Sequence, residues 1–132
     1  MKHSKLPSTD QVDQLLSFLP LFSDPELVVV VRWAGGAEPD GSYVLPAPIY
    51  QSAFMEFIRA ASEDCWMDPE YLSVDVNRLL ADPNLLHQAD IDQLRAVLTF
   101  IVRGERFCDG HWATMVERGH VIRLLQRLKE LQ

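Results

Sequence analysis

Residues 103–111, Arg-Gly-Glu-Arg-Phe-Cys-Asp-Gly-His, hold more reactive side chains than any other stretch of this 132-residue chain. Arg103 and Arg106, set where one helix ends and another begins, would meet a carboxylate or phosphate beside free helix N–H donors. This defines a candidate anionic-ligand site of Arg103, Glu105, Arg106, Asp109 and His111. The same residues also build a plain corner. In that reading Gly104 is a left-handed stop, Phe107 a buried anchor and Asp109 the cap of the next helix, while Arg106 pairs with Glu105 or another carboxylate. Cys108 and His111 stand three apart, half of a zinc site, but zinc needs three or four ligands. Cys65, His87 and His120 supply no second paired spacing, so no metal is expected, and no cofactor. A Cys108 nucleophile with His111 as base is the other sharp option. A thiol and imidazole one turn apart on one helix rarely address a common atom, and no third group orients them.

Other constellations have duller readings. The carboxylate pairs Glu63-Asp64 and Asp90/Asp92 read as solvated helix ends, with Asp90 as a cap. Gly35-Gly36 is no phosphate loop, because no Lys-Ser/Thr follows and no helix opens there. Trp33, Tyr43 and Tyr50 flank a strand pair. Aromatics there serve cross-strand packing or a contact surface, and Trp33 and Tyr50 are the contact candidates.

The elements that must position these residues follow from spacing. A loose tail is expected over residues 1–7, with order beginning near Pro7. Ser8 and Gln11 fit a capping box, and Val12, Leu15, Leu16 and Leu19 recur at helical spacing until Pro20. Leu27–Val31, with its run of valines, is too stiff and short for a helix and predicts a strand over 27–33. It is apolar on both faces, so it should be the most buried segment outside the helices. A glycine-rich turn leads to a returning strand at 43–46, where Pro46 and Pro48 end ladder pairing. A hairpin over 27–50 is marginal alone, so helices must pack on it or a partner must add strands.

Helices are expected from Ser52 to Cys65, after Asp68-Pro69, over Val74–Leu80 and after Asp82-Pro83. Asp90 should cap the clearest one, with Ile91, Leu94, Leu98, Ile101 and Val102 on one face. A short helix with Trp112, Met115 and Val116 should close at Gly119. The last helix should turn Val121, Leu124, Leu125, Leu128 and Leu131 inward, and Arg123 and Arg127 outward. The fold class is therefore α+β, mainly helical, in a single domain over 1–132: one hairpin against a bundle of about five helices over 52–131.

Arg-Gly-Glu-Arg-Phe-Cys-Asp-Gly at 103–110, with Trp112, the Gly119 break and a leucine-rich last helix, resembles a bacterial domain family of unknown function, DUF6508. Arg32-Trp33, the Asp40-Gly41 turn, Pro46, Pro48 and Tyr50 fit the same pattern. The resemblance runs from about Arg32 to the C-terminus. It implies a compact domain and transfers no activity.

Composition bounds the rest. The chain has 48% hydrophobic residues and a net charge of −7, with 12 basic against 19 acidic side chains. There is apolar material for a core and no apolar stretch near the ~20 residues of a membrane span, and no signal peptide is expected. Two cysteines make no disulfide scaffold, so a cytoplasmic protein is expected. Residues 103–129 hold six basic and three acidic side chains, against six and fifteen over 1–102. The basic set Arg103, Arg106, Arg118, Arg123 and Arg127 could seek anions, but the acidic body opposes nucleic acid. The expected function is a small protein-binding or adaptor module without catalysis, with another protein or a second copy as partner. The alternative is an enzyme or anionic small-ligand binder centred on Arg103–His111.

Overall fold

The computed structural model describes residues 6–132, so most of the tail expected at the N-terminus lies outside the described residues. Ser8 opens α1 (Thr9–Leu16) with the expected capping box: its hydroxyl accepts from Gln11 N–H and the Gln11 side chain accepts from Ser8 N–H. Pro20 does more than end this run. It sits in the first turn of a second short helix, α2 (Leu19–Ser23), where a proline lacks nothing the helix needs.

The strands β1 (Val30–Ala37) and β2 (Tyr43–Tyr50) pair antiparallel, with register shifts between Val30 and Arg32 and between Ala34 and Gly36. Two expectations fail here. The strand starts three residues later than 27–33, and β2 continues through Pro46 and Pro48 to Tyr50. Nor is 27–31 the most buried segment: only Val29 is buried, while Val28 is 62% and Val31 53% exposed. The hairpin enters the buried core only near its base, where Val29 belongs to the core and Tyr50 packs against it. The remainder extends as an arm, so one valine is inserted and its neighbours are not.

The helices then follow. α3 (Ser52–Ala61) buries Phe54, Phe57, Ile58, Ala60 and Ala61, and ends before Cys65, which is buried on the connecting loop. Asp68-Pro69 yields a 3-10 turn (Tyr71–Ser73) rather than a helix, with Asp68 itself buried. α4 (Val76–Ala81) and α5 (Pro83–Leu86) are short, each capped by an aspartate, Asp75 and Asp82. α6 (Ile91–Gly104) carries the Asp90–Gln93 capping box. α7 (His111–Glu117) and α8 (His120–Glu130) complete the chain.

The buried side chains form one continuous core drawn from α1, α2 and α3 through α8. α6 lies at its centre. Leu94, Arg95, Ala96, Val97, Leu98, Thr99 and Ile101 are all buried, so the helix is covered on more than the single face its leucines mark. α8 turns Val121, Leu124, Leu125 and Leu128 inward as expected, but Leu131 is 42% exposed past the helix end. Arg123 and Arg127 do not stand free in solvent. Both are half-buried and donate to carbonyls, Arg123 to Arg118 at 2.8 Å and Arg127 to Ala89 at 2.9 Å. Arg127 also meets Glu130 at 3.4 Å, the expected one-turn pair. The architecture is α+β and mainly helical, with a single antiparallel hairpin among the described residues.

Candidate functional site

The corner between α6 and α7 is organised by Glu105. Its carboxylate accepts from the backbone N–H of Gly110 at 2.9 Å and of Trp112 at 2.8 Å, and from the Tyr50 hydroxyl at 2.8 Å. Helix starts leave N–H groups without intrahelical partners, and an anionic acceptor there also meets the positive end of the dipole. Glu105 fills that role from five residues upstream of Gly110. Burial, then the bond to Glu105, holds the Tyr50 hydroxyl well above the ordinary phenol range. The Trp112 indole donates to Val102 at 3.0 Å, and the Tyr50, Phe54 and Trp112 rings pack tilted or edge-on at centroid distances of 5.1 to 6.0 Å. The corner thereby ties the base of the hairpin to the α6–α7 junction.

Several expected roles move. Asp109 is exposed and does not cap α7; Gly110, in a left-handed conformation at φ +88°, is the cap residue and Glu105 supplies the acceptor. Phe107 is 77% exposed and anchors nothing, because the aromatic anchors here are Tyr50 and Trp112. Arg106 is exposed and makes no ion pair among the described residues. Arg103 lies 5.5 Å from the centre of the Tyr71 ring, a cation–π contact rather than an anion clamp. Gly104 is the last residue of α6 but has no positive φ. It is glycine for another reason: a Cβ there would overlap the His111 imidazole, which packs on the helix backbone.

His111 is thus partly buried between Gly104 and the Phe100 ring, whose centroid is 5.2 Å away. Burial pulls its pKa down against the opposing pull of Glu105 and the Phe100 carbonyl. Cys108 is exposed, its thiol reaching only the neighbouring Asp109 carbonyl at 3.8 Å. The two residues occupy different environments and do not form a nucleophile–base pair. Cys65 is a buried core thiol, His87 is exposed, and His120 accepts from Arg123 at 3.2 Å when neutral at Nδ1. Among the described residues, no group of three or more His, Cys, Asp or Glu side chains is placed to hold a metal.

Trp33 and Tyr50 do come together with this corner. The outer edge of the Trp33 ring lies 3.9 Å from where a Gly110 Cβ would stand. Beyond that contact the hairpin presents a run of large apolar side chains to solvent: Trp33 at 55%, Tyr43 at 66%, Val44 at 51%, Leu45 at 80% exposed, together with Val31 and Ile49. Patches of this kind mark interaction sites more often than accidents of folding. At the hairpin's base, Phe22, Val28, Val29, Val30 and Val116 line a groove of about 380 Å³. Among the described residues, Asp24 and Glu117 are the only charged residues on its lining.

One polar knot has no counterpart in the sequence reading. Arg95, fully buried, donates from Nε to the Cys65 carbonyl at 2.8 Å and from Nη2 to the Met67 carbonyl at 3.1 Å. Thr99, one turn on, accepts from Asp68 N–H at 2.9 Å and donates to the Arg95 carbonyl at 2.7 Å. These bonds fasten α6 to the loop after α3. The signal was Ala96 and Val97, apolar residues off the leucine stripe, which imply a second buried face that holds Arg95 and Thr99.

The family of unknown function DUF6508 matches this chain over residues 7–132. No curated protein and no solved structure matches it. The match takes in α1 and α2, which lie outside the motif resemblance beginning near Arg32. Over nearly its whole length, the chain belongs to the DUF6508 family.

Proposed function

We propose that this domain is a cytoplasmic protein-binding module, without catalysis, that uses the hairpin arm as its contact surface. The observation that carries this reading is the apolar run on the arm, with Leu45 at 80% exposure and Tyr43 at 66%. Two-stranded hairpins are marginal in water, so an arm that enters the buried core only near its base gains stability when a partner covers it. The corner at 103–111 supports the same reading, because Glu105 spends its carboxylate on three internal donors. A rival small-ligand site would need Arg106, Asp109 and His111 to converge; the first two are exposed and the third is packed under Gly104. Both cysteines are free, one of them exposed, which suits a reducing compartment. The partner is another protein, with a second copy of the chain as the competing occupant.

The test is photocrosslinking in the cell that makes the protein, with the reactive group placed at Leu45 or, as a control, at the exposed Gln126. Discrete protein adducts from Leu45, lost when Trp33 and Val44 are changed to serine and absent from Gln126, are expected. Equal adducts from both positions, or none from Leu45, would overturn the proposal.

A further inference from the structure

β1 has one edge in the ladder with β2 and, among the described residues, one edge free. The groove at the base of the hairpin is lined by Val28, Val29 and Val30 but by no β2 residue, which places it on the free side of the strand. Val28, just before the strand, is 62% exposed, and its backbone N–H and C=O make no hydrogen bond within the described residues. β2 is a poorer template. Pro46 and Pro48 lack N–H groups, and strand prolines are tolerated where that side faces away from the ladder. β1 has no proline, and unpaired strand edges invite another strand.

From this we infer that the free edge of β1 and the groove beside it bind an extended peptide segment of a partner protein, one that alternates apolar and basic side chains. The inference rests on the reading of the arm as a contact surface and names what occupies it. Backbone pairing at Val28 and along β1 would supply affinity, while pockets for alternate side chains would supply selectivity. The apolar half of the assignment follows from the lining: Phe22, Val29 and Val116 offer a floor for branched side chains. Its basic half follows from charge. Asp24 and Glu117 are carboxylates on a lining that holds no cation among the described residues, on a chain of net charge −7. Complementary charge steers encounter and disfavours wrong partners. An acidic segment would meet repulsion from both carboxylates.

The experiment is fluorescence anisotropy of the full chain with a labelled octapeptide of alternating lysine and valine. Saturable binding is expected, at least tenfold tighter than for the alternating glutamate–valine peptide and weakened by added salt. The double variant Asp24→Asn/Glu117→Gln should lose the preference, whereas Glu63→Gln/Asp64→Asn, an exposed acidic pair elsewhere, should keep it. A backbone N-methylated copy of the basic peptide cannot pair as a strand and should not bind; this control leaves the protein unaltered. Three results would overturn the inference: no saturable binding, equal binding of the acidic peptide, or full binding of the N-methylated one. Arm crosslinks in the cell without peptide binding would leave the arm as the contact surface and remove this occupant. Self-association in light scattering together with failed peptide binding would give the edge to a second copy instead.

Discussion

Replacing Glu105 by alanine tests the organisation of the corner. The carboxylate accepts from Gly110 N–H, Trp112 N–H and the Tyr50 hydroxyl, all at 2.8 to 2.9 Å. The two backbone donors stand at a helix start, where losing a side-chain cap costs about 0.5–2 kcal/mol. The Tyr50 hydroxyl is half-buried, and an unsatisfied buried donor adds about 1–3 kcal/mol, toward the low end where water can enter. The variant should therefore lose about 2–4 kcal/mol. With a urea dependence near the middle of the ~1–3 kcal/mol per molar range, about 2, the midpoint of unfolding should fall by roughly 1–2 M. Asp109→Ala is the internal comparison: its exposed carboxylate caps nothing, so the change should stay within about 0.5 kcal/mol. Tyr50→Phe combined with Glu105→Ala should show a coupling of about 0.5–3 kcal/mol in a double-mutant cycle, as residues in direct hydrogen-bond contact do. Equal losses for Asp109→Ala and Glu105→Ala would refute the assignment of the cap.

Further expectations concern the core and its titration. Arg95→Ala should cost about 3–5 kcal/mol in chemical denaturation, because it strips the Cys65 and Met67 carbonyls of a buried charged donor; a loss under about 1 kcal/mol would mean that the knot contributes little. Gly104→Ala should destabilise by about 1–3 kcal/mol through overlap with the His111 ring, and His111→Ala should relieve that loss in the double variant. His111 and His120 both have pKa values pulled below the ordinary imidazole range, His111 by burial and His120 by burial and then Arg123 and Arg118. The unfolded chain then binds more protons than the native one as pH falls through about 6.5, so stability should rise with pH across that window. Urea midpoints measured between about pH 5 and 7.5 should fall on the acid side, and His120→Gln should flatten the slope; a slope unchanged in both histidine variants would contradict this.

What the sequence disclosed was mostly local. The Ser8–Gln11 box, the Asp90 cap, the Asp82-Pro83 start of α5 and the inward stripe of α8 up to Leu128 depend on residues within one or two turns of each other. Those readings match the structure. What failed depended on the third dimension. Nothing in Leu27–Val31 says that the strand leaves the body after Val29, since four valines look the same whether a helix layer covers them or not. By type Asp109 is the better cap, and only the path of the corner decides that Glu105 reaches forward to Gly110 and Trp112 instead. Phe107 looks like the anchor by type, but the rings that pack at this corner are Tyr50, Phe54 and Trp112. A left-handed stop explains Gly104 by backbone conformation, whereas its real constraint is the imidazole lying on it. Of the candidate residues, Trp33, Tyr50 and Glu105 gather at the corner, and Arg103, Arg106 and Asp109 are left to one ring contact or to solvent.

The arm as contact surface is tested most directly by amide hydrogen exchange. Residues 31–37 and 43–49 would be followed in the purified chain and in the assembly isolated at native abundance from the producing cell. Fast exchange in the purified chain is expected, since the arm is exposed and its ladder has only two strands. In the assembly, protection should rise over these residues, most along β1, while α6 keeps the slow exchange of a core helix. Unchanged exchange over the arm, with new protection at 103–111 or along α8, would contradict the account.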